Sequence, residues 1–237
     1  MMNTLFCNQI ASGELTVYMD NMVMHTSPKE GETPEEHLEH HRKIVNEVLA
    51  ILEQNNLYLN INKCKFKQTH IDFLGVRIEN NQLKMEDAKI EKVQDWAPPQ
   101  NLKEVRQFLG FTGYYWYFIE GYSAIARPLL DLTKQATPWH WEGPQQQAFD
   151  TLKARMCTKP VLQQPNFKKV FYLQTDTSAY GVGAVLSQEG GTLILNSPNS
   201  KPQQHSVTYF SNTFTPTEQN YNIYEREFLG VVKVLKH

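Results

Sequence analysis

Two short runs of strand-forming residues flank a polar pair in residues 15–24, Leu15-Thr16-Val17-Tyr18-Met19-Asp20-Asn21-Met22-Val23-Met24. This pattern predicts a β-hairpin. Asp20 and Asn21 suit its turn because both side chains tolerate left-handed backbone angles and bond to their own main chain. The turn would expose the Asp20 carboxylate on a rigid support, as coordination of Mg²⁺ for phosphoryl chemistry requires. An Asp-Asn pair also turns a chain without any chemistry, so the motif alone leaves both interpretations open.

Composition predicts a folded intracellular protein. The 237 residues are 41% hydrophobic, enough for one large or two to three small domains. No apolar run approaches the length of a membrane span, and the first residues lack the layout of a signal peptide. We therefore expect a cytoplasmic or nuclear protein without a membrane partner. The cysteines Cys7, Cys64 and Cys157 are too widely spaced for a disulfide framework or a zinc knuckle.

Charge is unevenly distributed along the chain. The formal net charge is −2, which is unusual for a protein that binds nucleic acid. Residues 29–60 carry three basic and seven acidic side chains, whereas residues 101–175 carry nine basic and five acidic ones. A modest basic surface is therefore expected in the middle of the chain, compatible with contacts to a phosphate backbone.

A long helix is predicted after the hairpin. Thr33-Pro34-Glu35-Glu36 supplies an N-cap, a first-turn proline and a glutamate for a capping box, and Asn55-Asn56 marks the end. His37, His40 and His41 could gather a metal ion. They lie among glutamates, so we assign them to the solvated face of the helix.

Alternating apolar residues predict two further strands. Leu57, Leu59 and Ile61 alternate as in a half-buried strand. Residues 71–78 begin a second hairpin that turns at Asn80-Asn81.

The middle of the chain is predicted to be helical and rich in aromatic residues. Asn101 caps a helix, and Gly143-Pro144 starts a later one. The aromatic side chains between them could stack nucleic-acid bases, but their helical spacing favours packing for most of them. They are Phe111, Tyr114, Tyr115, Trp116, Tyr117 and Phe118.

The last third of the chain alternates strand and helix signals. Strands are predicted at residues 170–175, which would deliver Asp176 at the strand end, and at residues 181–186 and 206–210. Gly190 to Gln204 reads as a flexible insertion. A final helix is expected to begin near Thr217.

Five segments, in this order, resemble the gypsy class of LTR-retrotransposon polyprotein. Tyr18-Met19-Asp20-Asn21 resembles the Tyr-x-Asp-Asp signature of reverse transcriptases, and Phe73-Leu74-Gly75 matches a hairpin that holds the primer end in that family. Asn101 to Leu132 resembles the family's thumb. Asp176 and Glu227 match the first aspartate and the helix glutamate of its RNase H-like domain.

The resemblance implies an α+β fold with a partial reverse-transcriptase palm, a helical thumb and a partial RNase H-like mixed sheet. It implies four parts, with the back half of the palm at 1–85, the thumb at 86–134, a connection at 135–168 and the front of the RNase H-like domain at 169–237. The family's first palm aspartate would precede Met1, and further RNase H acids would follow His237. We therefore expect a fragment truncated at both ends.

The resemblance also implies RNA-directed DNA synthesis and RNase H-like cleavage through two-metal phosphoryl transfer. Asp20, Asp176 and Glu227 would be catalytic and would bind Mg²⁺. The partners would be an RNA or DNA primer–template, an RNA–DNA hybrid and deoxynucleotides. Nucleic-acid contacts would come from Tyr18, Met19, Phe73, Leu74 and Gly75.

The chain departs from the family pattern at positions that matter for activity. Asn21 is a neutral donor where the family has an anion, which would weaken the metal site. Trp116, Tyr117 and Asn212 stand where the family commonly has basic residues. Two interpretations therefore remain open, an enzyme active only with pieces supplied by another chain, and a catalytically dead remnant that binds nucleic acid.

Overall fold

The hairpin expected at residues 15–24 is present in the computed structural model of the protein, which describes residues 2–135, 137–190 and 204–237. Strands β1 (Leu15–Tyr18) and β2 (Asn21–Met24) pair antiparallel, and Tyr18 lies opposite Asn21. The turn is therefore Met19-Asp20 rather than the predicted Asp20-Asn21. Met19 has a φ of 54°, so it takes the left-handed conformation that we had assigned to Asp or Asn.

The chain divides into two compact units, Met1–Gln68 and Thr69–His237. The described helices of the first unit are α1 (Met2–Leu5), α2 (Cys7–Ala11) and α3 (Pro34–Gln54). The predicted capping box of α3 is confirmed, because Thr33 accepts a hydrogen bond from the Glu36 N–H and the Glu36 side chain bonds back to the Thr33 N–H. The helix ends at Gln54, as Asn55-Asn56 predicted.

A small apolar core holds the hairpin against α3. Its fully buried members are Phe6, Leu15, Val48 and Leu52. Leu15 lies on the face of β1 that also carries Val17, because alternate residues of a strand share a face. Burial of this face leaves the other face of the hairpin and its turn in solvent.

The strand predicted at Leu57, Leu59 and Ile61 is absent. Residues 57–60 have no regular structure, and Ile61–Lys63 form one turn of 3-10 helix. Leu59 and Ile61 are 41% and 71% exposed. Alternation of apolar residues stabilises a strand only when a neighbouring strand accepts its hydrogen bonds, and none of the described strands pairs with this segment.

The histidines of α3 lie on its packed face, and the prediction of a solvated face was wrong. His37, His40 and His41 are half-buried and share a helix face with the buried Ile44. The Thr26 hydroxyl lies 3.1 Å from the His41 Nδ1 atom and 3.4 Å from the His37 Nε2 atom. Burial lowers the pKa of His41 below its ordinary value of 6.5, and the neighbouring His37 and His40 lower it further.

This pKa shift predicts that acid destabilises the protein through His41. The folded state disfavours the His41 imidazolium, so the unfolded chain takes up the proton first as the pH falls below about 6.5. The free energy of unfolding should decrease more between pH 7 and pH 5.5 in the wild type than in His41→Gln, as measured by urea titration. Equal losses in the two proteins would contradict this assignment.

The described part of the second unit contains helices and two antiparallel sheets. Its described elements are β3 (His70–Phe73), β4 (Val76–Glu79), β5 (Gln82–Met85), α4 (Asp87–Gln94), α5 (Leu102–Tyr114), α6 (Tyr122–Leu132), α7 (Gly143–Cys157), β6 (Val161–Gln163), β7 (Tyr172–Thr177), β8 (Gly181–Glu189), β9 (Gln204–Thr213), α8 (Pro216–Gln219) and α9 (Ile223–Leu235). One sheet has the order β3-β4-β5-β6 and the other β7-β8-β9.

Residues 71–78 do not form the single strand that we predicted. The chain turns twice, first at Leu74-Gly75 and again at the predicted Asn80-Asn81, to build the meander β3-β4-β5. All four turn residues have positive φ, between 49° and 78°. The first turn was missed because leucine rarely adopts this conformation, so Leu74 carries no turn signal.

One large core joins the meander to α4, α5, α6 and α7. Phe108 is fully buried, with its ring centroid 4.6 Å from that of Phe149 and 5.5 Å from that of Trp96. The predicted packing of the aromatic cluster is confirmed, because Tyr115 and Phe118 are buried in this core and most of the other rings pack against it. Tyr114 is the exception, being 51% exposed.

The strands predicted near 170, 181 and 206 are confirmed as β7, β8 and β9. Asp176 lies within β7, one residue before its end, rather than after it. The described strands pair antiparallel only, so the parallel pairing of a mixed sheet is not among them. Most of the predicted insertion, residues 191–203, lies outside the described residues.

The single helix predicted from Thr217 is two helices. Thr215 caps α8 in a capping box with Glu218, and Asn222 caps α9 in a capping box with Glu225. The break arises because an asparagine side chain that accepts the Glu225 N–H starts a new helix.

The meander at residues 70–85 lies in the same compact unit as the helices that follow it. The four-part division made from the sequence stays a prediction. Each helix of the described chain is either too short or too polar to cross a bilayer.

The core predicts a large effect for Phe108→Ala. Removing this fully buried ring should lower the free energy of unfolding by about 3–5 kcal/mol, through lost burial and the cavity left behind. Chemical denaturation monitored by circular dichroism would measure it. Lys103→Ala, at an exposed position of the same helix, should change stability by less than about 0.5 kcal/mol. Similar values for the two variants would contradict this view of the core.

Candidate functional site

The β1–β2 turn presents Asp20 to solvent. Asp20 is exposed, and its neighbours Tyr18 and Met19 are 50% and 75% exposed. The hairpin is supported from below by the buried Leu15. Asn21, the first residue of β2, adds an amide oxygen beside the turn and no second negative charge.

The Leu74-Gly75 turn is clamped by two adjacent tyrosines at the end of α5. The Tyr114 hydroxyl donates to the Leu74 carbonyl oxygen at 2.6 Å, and the Tyr115 hydroxyl donates to the Gly75 carbonyl oxygen at 3.1 Å. Burial, with a smaller contribution from the nearby Glu86, raises the pKa of Tyr115 to about 12. The Tyr115 phenol therefore stays protonated and keeps donating at neutral pH.

Gly75 is required by this clamp for two separate reasons. Its φ of +78° lies in the left-handed region. A Cβ atom at this position would lie 2.5 Å from the Tyr115 hydroxyl oxygen. The predicted primer-end hairpin is thus held rigidly, with its backbone carbonyls bound to the helical layer.

Arg77, on the strand after this turn, is engaged by carboxylates. Its Nε atom lies 2.7 Å from Asp72, and its Nη1 atom lies 3.0 Å from Asp87. Lys159 also contacts Asp87, at 3.0 Å. Lys159 and then Arg77 lower the pKa of Asp87 below its ordinary value. Arg77 and Lys159 are therefore paired with carboxylates, although the sequence counts Lys159 toward the basic surface expected from residues 101–175.

Asp176 lies at a cavity of about 350 Å³ between α6 and the sheet β7-β8-β9. We call it the Arg127 cavity. Its side chains include Ser123, Arg127, Asp176, Ser178, Tyr180, Ser211, Asn212 and Thr213. Asp176 is exposed, and its carboxylate accepts no hydrogen bond from the described residues.

Glu227 lies on α9, which packs on the same sheet. Gly230 contacts the sheet so closely that a Cβ atom there would lie 2.7 Å from the Thr177 hydroxyl oxygen. Glu227 is one helical turn before Gly230, and Thr177 follows Asp176 in β7, so the two acids lie on elements that meet where Gly230 contacts Thr177. Because successive side chains of a strand point to opposite faces, Asp176 does not share the Thr177 face that contacts α9. Glu225 is used in the cap of α9, because its carboxylate accepts the Asn222 N–H at 3.0 Å.

The described residues do not form a complete metal site. Within residues 2–135, 137–190 and 204–237, no three His, Cys, Asp or Glu side chains converge to hold an ion. Asp20, Asp176 and Glu227 are each exposed carboxylates that offer one ligand. A pair of Mg²⁺ ions needs several carboxylates together, so these residues alone do not fit it.

Comparison with known proteins finds one family match in the first part of the chain and another in the last part. A family model described as reverse transcriptase (RNA-dependent DNA polymerase) matches residues 1–78. A second, described as the RNase H-like domain found in reverse transcriptase, matches residues 141–237. The Tf2-7 polyprotein, a transposon protein of Schizosaccharomyces pombe, is 33% identical over 235 residues, which is 99% of this chain.

The chain is therefore similar to a piece of a retrotransposon polyprotein in which a reverse-transcriptase part is followed by an RNase H-like domain. The Tf2-3 transposon polyprotein of the same yeast is also 33% identical over 235 residues. The chain spans 16% of the length of each of these two relatives.

Solved structures establish that the fold is that of a reverse transcriptase followed by an RNase H-like domain. The foamy viral protease-reverse transcriptase in complex with RNA/DNA hybrid superposes with a TM-score of 0.78 at 22% identity. That match covers 99% of this chain and 29% of the other. The foamy viral enzyme in complex with dsDNA gives a TM-score of 0.77 at 20% identity, covering 99% and 44%.

The candidate site residues fall in both units. Tyr18, Met19 and Asp20 belong to the first, and Phe73, Leu74, Gly75, Asp176 and Glu227 belong to the second. The structure places Asp176 in β7 and Glu227 in α9, the helix that packs on the sheet containing β7.

Sequence reasoning missed Tyr114 and Tyr115 as the clamp, because their partners lie 40 residues earlier. It also missed Arg127 and Tyr180. Tyr180 could have been noticed in the sequence, because it lies in the short link between two predicted strands.

The clamp predicts a large penalty for Gly75→Ala. The left-handed backbone costs an alanine on the order of 1–3 kcal/mol, and contact with Tyr115 adds to the loss. The free energy of unfolding should fall by at least about 2 kcal/mol in urea titrations. Gly110→Ala is the matched control, since its Cβ meets open space on a helix and should stabilise by about 0.5–1 kcal/mol.

The double variant Gly75→Ala/Tyr115→Phe separates the two causes. Phenylalanine removes the hydroxyl that the new Cβ would meet but leaves the backbone strain. The double variant should therefore be more stable than the sum of the two single losses predicts. Simple additivity would show that the hydroxyl contact does not contribute.

Proposed function

We propose that this chain is the part of a retrotransposon RNA-directed DNA polymerase, with its RNase H-like domain, that binds a primer–template or an RNA–DNA hybrid. We infer that the isolated chain binds such duplexes without extending a primer. In the complete enzyme, Asp20 would supply one Mg²⁺ ligand for polymerisation from deoxynucleotides. Asp176 and Glu227 would supply ligands for cleavage of RNA in the hybrid.

The rigid presentation of the Phe73-Leu74-Gly75 hairpin carries the binding part of the proposal. Its turn is fixed by both tyrosine hydroxyls, so it can meet a strand end without losing conformational entropy. The foamy viral structures of similar fold contain dsDNA and an RNA/DNA hybrid. That similarity supports the same class of partner for this chain.

Electrostatics supports weak, salt-sensitive binding. Residues 101–175 carry nine basic and five acidic side chains. Lys103, Arg106, Arg155, Lys168 and Lys169 are exposed there and make no ion pair among the described residues. These side chains can replace counterions on phosphates, which makes affinity fall as salt rises.

The small number of Mg²⁺ ligands supports our inference that the isolated chain does not extend a primer. Two-metal transfer needs carboxylates from several positions. At the β1–β2 turn, the described chain offers Asp20 beside the neutral Asn21. We propose that the remaining ligands come from polypeptide outside the described residues.

Fluorescence anisotropy with a labelled RNA–DNA duplex tests the binding. Affinity should fall about tenfold or more between 50 and 200 mM NaCl, because several phosphate contacts are lost together. Lys168→Gln/Lys169→Gln should flatten this dependence, and Glu142→Gln, an exposed acid, should not. An affinity independent of salt would contradict the electrostatic account.

Primer extension tests the catalytic part. With an RNA template, deoxynucleotides and Mg²⁺, the wild-type chain and Asp20→Ala should both give background incorporation. Incorporation by the wild type that disappears in Asp20→Ala would show that the isolated chain is active and would overturn the proposed inactivity.

A further inference from the structure

The Arg127 cavity has a charged group at its mouth that the proposed reaction does not use. The guanidinium carbon of Arg127 lies 4.6 Å from the ring centroid of Tyr180. This cation–π contact orients the guanidinium plane while its N–H groups remain available at the edges. The Arg127 side chain is 38% exposed, and Tyr180 is 58% exposed, so both are accessible from solvent.

The charge of Arg127 is only loosely compensated within the described residues. The nearest carboxylate, that of Asp131, lies 3.9 Å from the Arg127 Nε atom. Asp131 makes a closer pair with Lys134, at 2.6 Å. Arg127 therefore retains attraction for a second anion, unlike Arg77, which is held by two carboxylates at 2.7 and 3.0 Å.

The walls of the cavity are fixed before any ligand binds. The Ser211 hydroxyl accepts the Ser123 N–H at 2.9 Å, and the Ser123 hydroxyl donates to the Ser211 carbonyl oxygen at 2.9 Å. These bonds attach the start of α6 to β9. In the link between β7 and β8, the Ser178 hydroxyl accepts the N–H groups of Tyr180 and Gly181, both at 3.2 Å. A preformed cavity of about 350 Å³ has the size of a small-ligand site.

We propose that the Arg127 cavity binds one phosphodiester unit of a nucleic-acid strand, with the phosphate at Arg127 and a base on the free face of Tyr180. The inference rests on the proposed nucleic-acid binding and assigns it a specific contact. One cation beside one carboxylate, Asp176, suits a singly charged phosphodiester better than a multiply charged free nucleotide. Base–aromatic stacking adds affinity without sequence preference.

The binding test uses the 237-residue chain and a labelled RNA–DNA duplex. Arg127→Gln should weaken binding about 5- to 30-fold and reduce the slope of log K against log salt by about 0.9. Arg127→Lys should keep most of that slope, because it keeps the charge and loses only the planar stack. Arg42→Gln, at an exposed arginine of α3 outside the cavity, is the matched control and should leave both the affinity and the slope unchanged.

A set of duplexes, each with one phosphate replaced by a neutral methylphosphonate, locates the contact. At one position the replacement should weaken binding by the wild type and have no further effect on Arg127→Gln. A variant that had merely lost its structure would weaken binding to every duplex alike. Additive losses at all positions would overturn the proposal.

Competition separates the two sources of phosphate. A dinucleotide should displace the duplex from the wild type at lower concentration than a nucleoside monophosphate, and this difference should shrink in Tyr180→Leu. Better competition by the monophosphate would mean a free-nucleotide site and would overturn the proposal. If the wild type bound no duplex at all, the proposed function would fail and this inference with it. Wild-type binding that Arg127→Gln leaves unchanged would overturn this inference alone.

Discussion

Two hydrogen bonds from adjacent tyrosines connect the meander of the second unit to its helices. Tyr114 and Tyr115 donate to the carbonyl oxygens of Leu74 and Gly75. These carbonyls belong to a turn with positive φ at both residues, which would be costly for Leu74 without such support. The helical layer therefore determines the position of the hairpin that we propose meets the primer end. The large aromatic core holds the Tyr115 ring, and the Tyr114 ring packs edge-on against Tyr115 with the ring centroids 4.9 Å apart.

The distribution of paired and unpaired charges is more informative than the net charge of −2. Arg77, Lys134 and Lys159 each make a contact of 3.0 Å or less with a carboxylate. Such pairs are already satisfied and contribute little to an outside anion. Arg127 is different, because it lies on an aromatic ring at the mouth of a cavity. The nucleic-acid binding that we propose therefore depends on the positions of a few unpaired cations and not on the net charge of the chain.

Signals that act within a few residues were predicted well. The caps at Thr33 and Asn101 are present, because an N-cap depends only on the first turn of its own helix. The errors occurred where a distant partner decides the outcome. Leu57 to Ile61 alternates in hydrophobicity but has no described strand beside it. The α3 histidines were assigned to solvent because their neighbours in sequence are glutamates, whereas Thr26 and the packed face of the helix surround them.

The order of motifs along the chain was enough to indicate the family and the fold class, since hairpins, caps and strand patterns are local properties of sequence. The candidate acids Asp20, Asp176 and Glu227 came from the same motifs. The exposure of Asp20 was predicted from the turn, but the clamp on Gly75 and the pairing of Arg127 with Tyr180 came only from the tertiary structure. A local residue pattern predicts that a face is buried or that a turn forms, but it does not identify the residues that pack against that face or turn. Contacts between residues 40 or more positions apart depend on how the whole core packs.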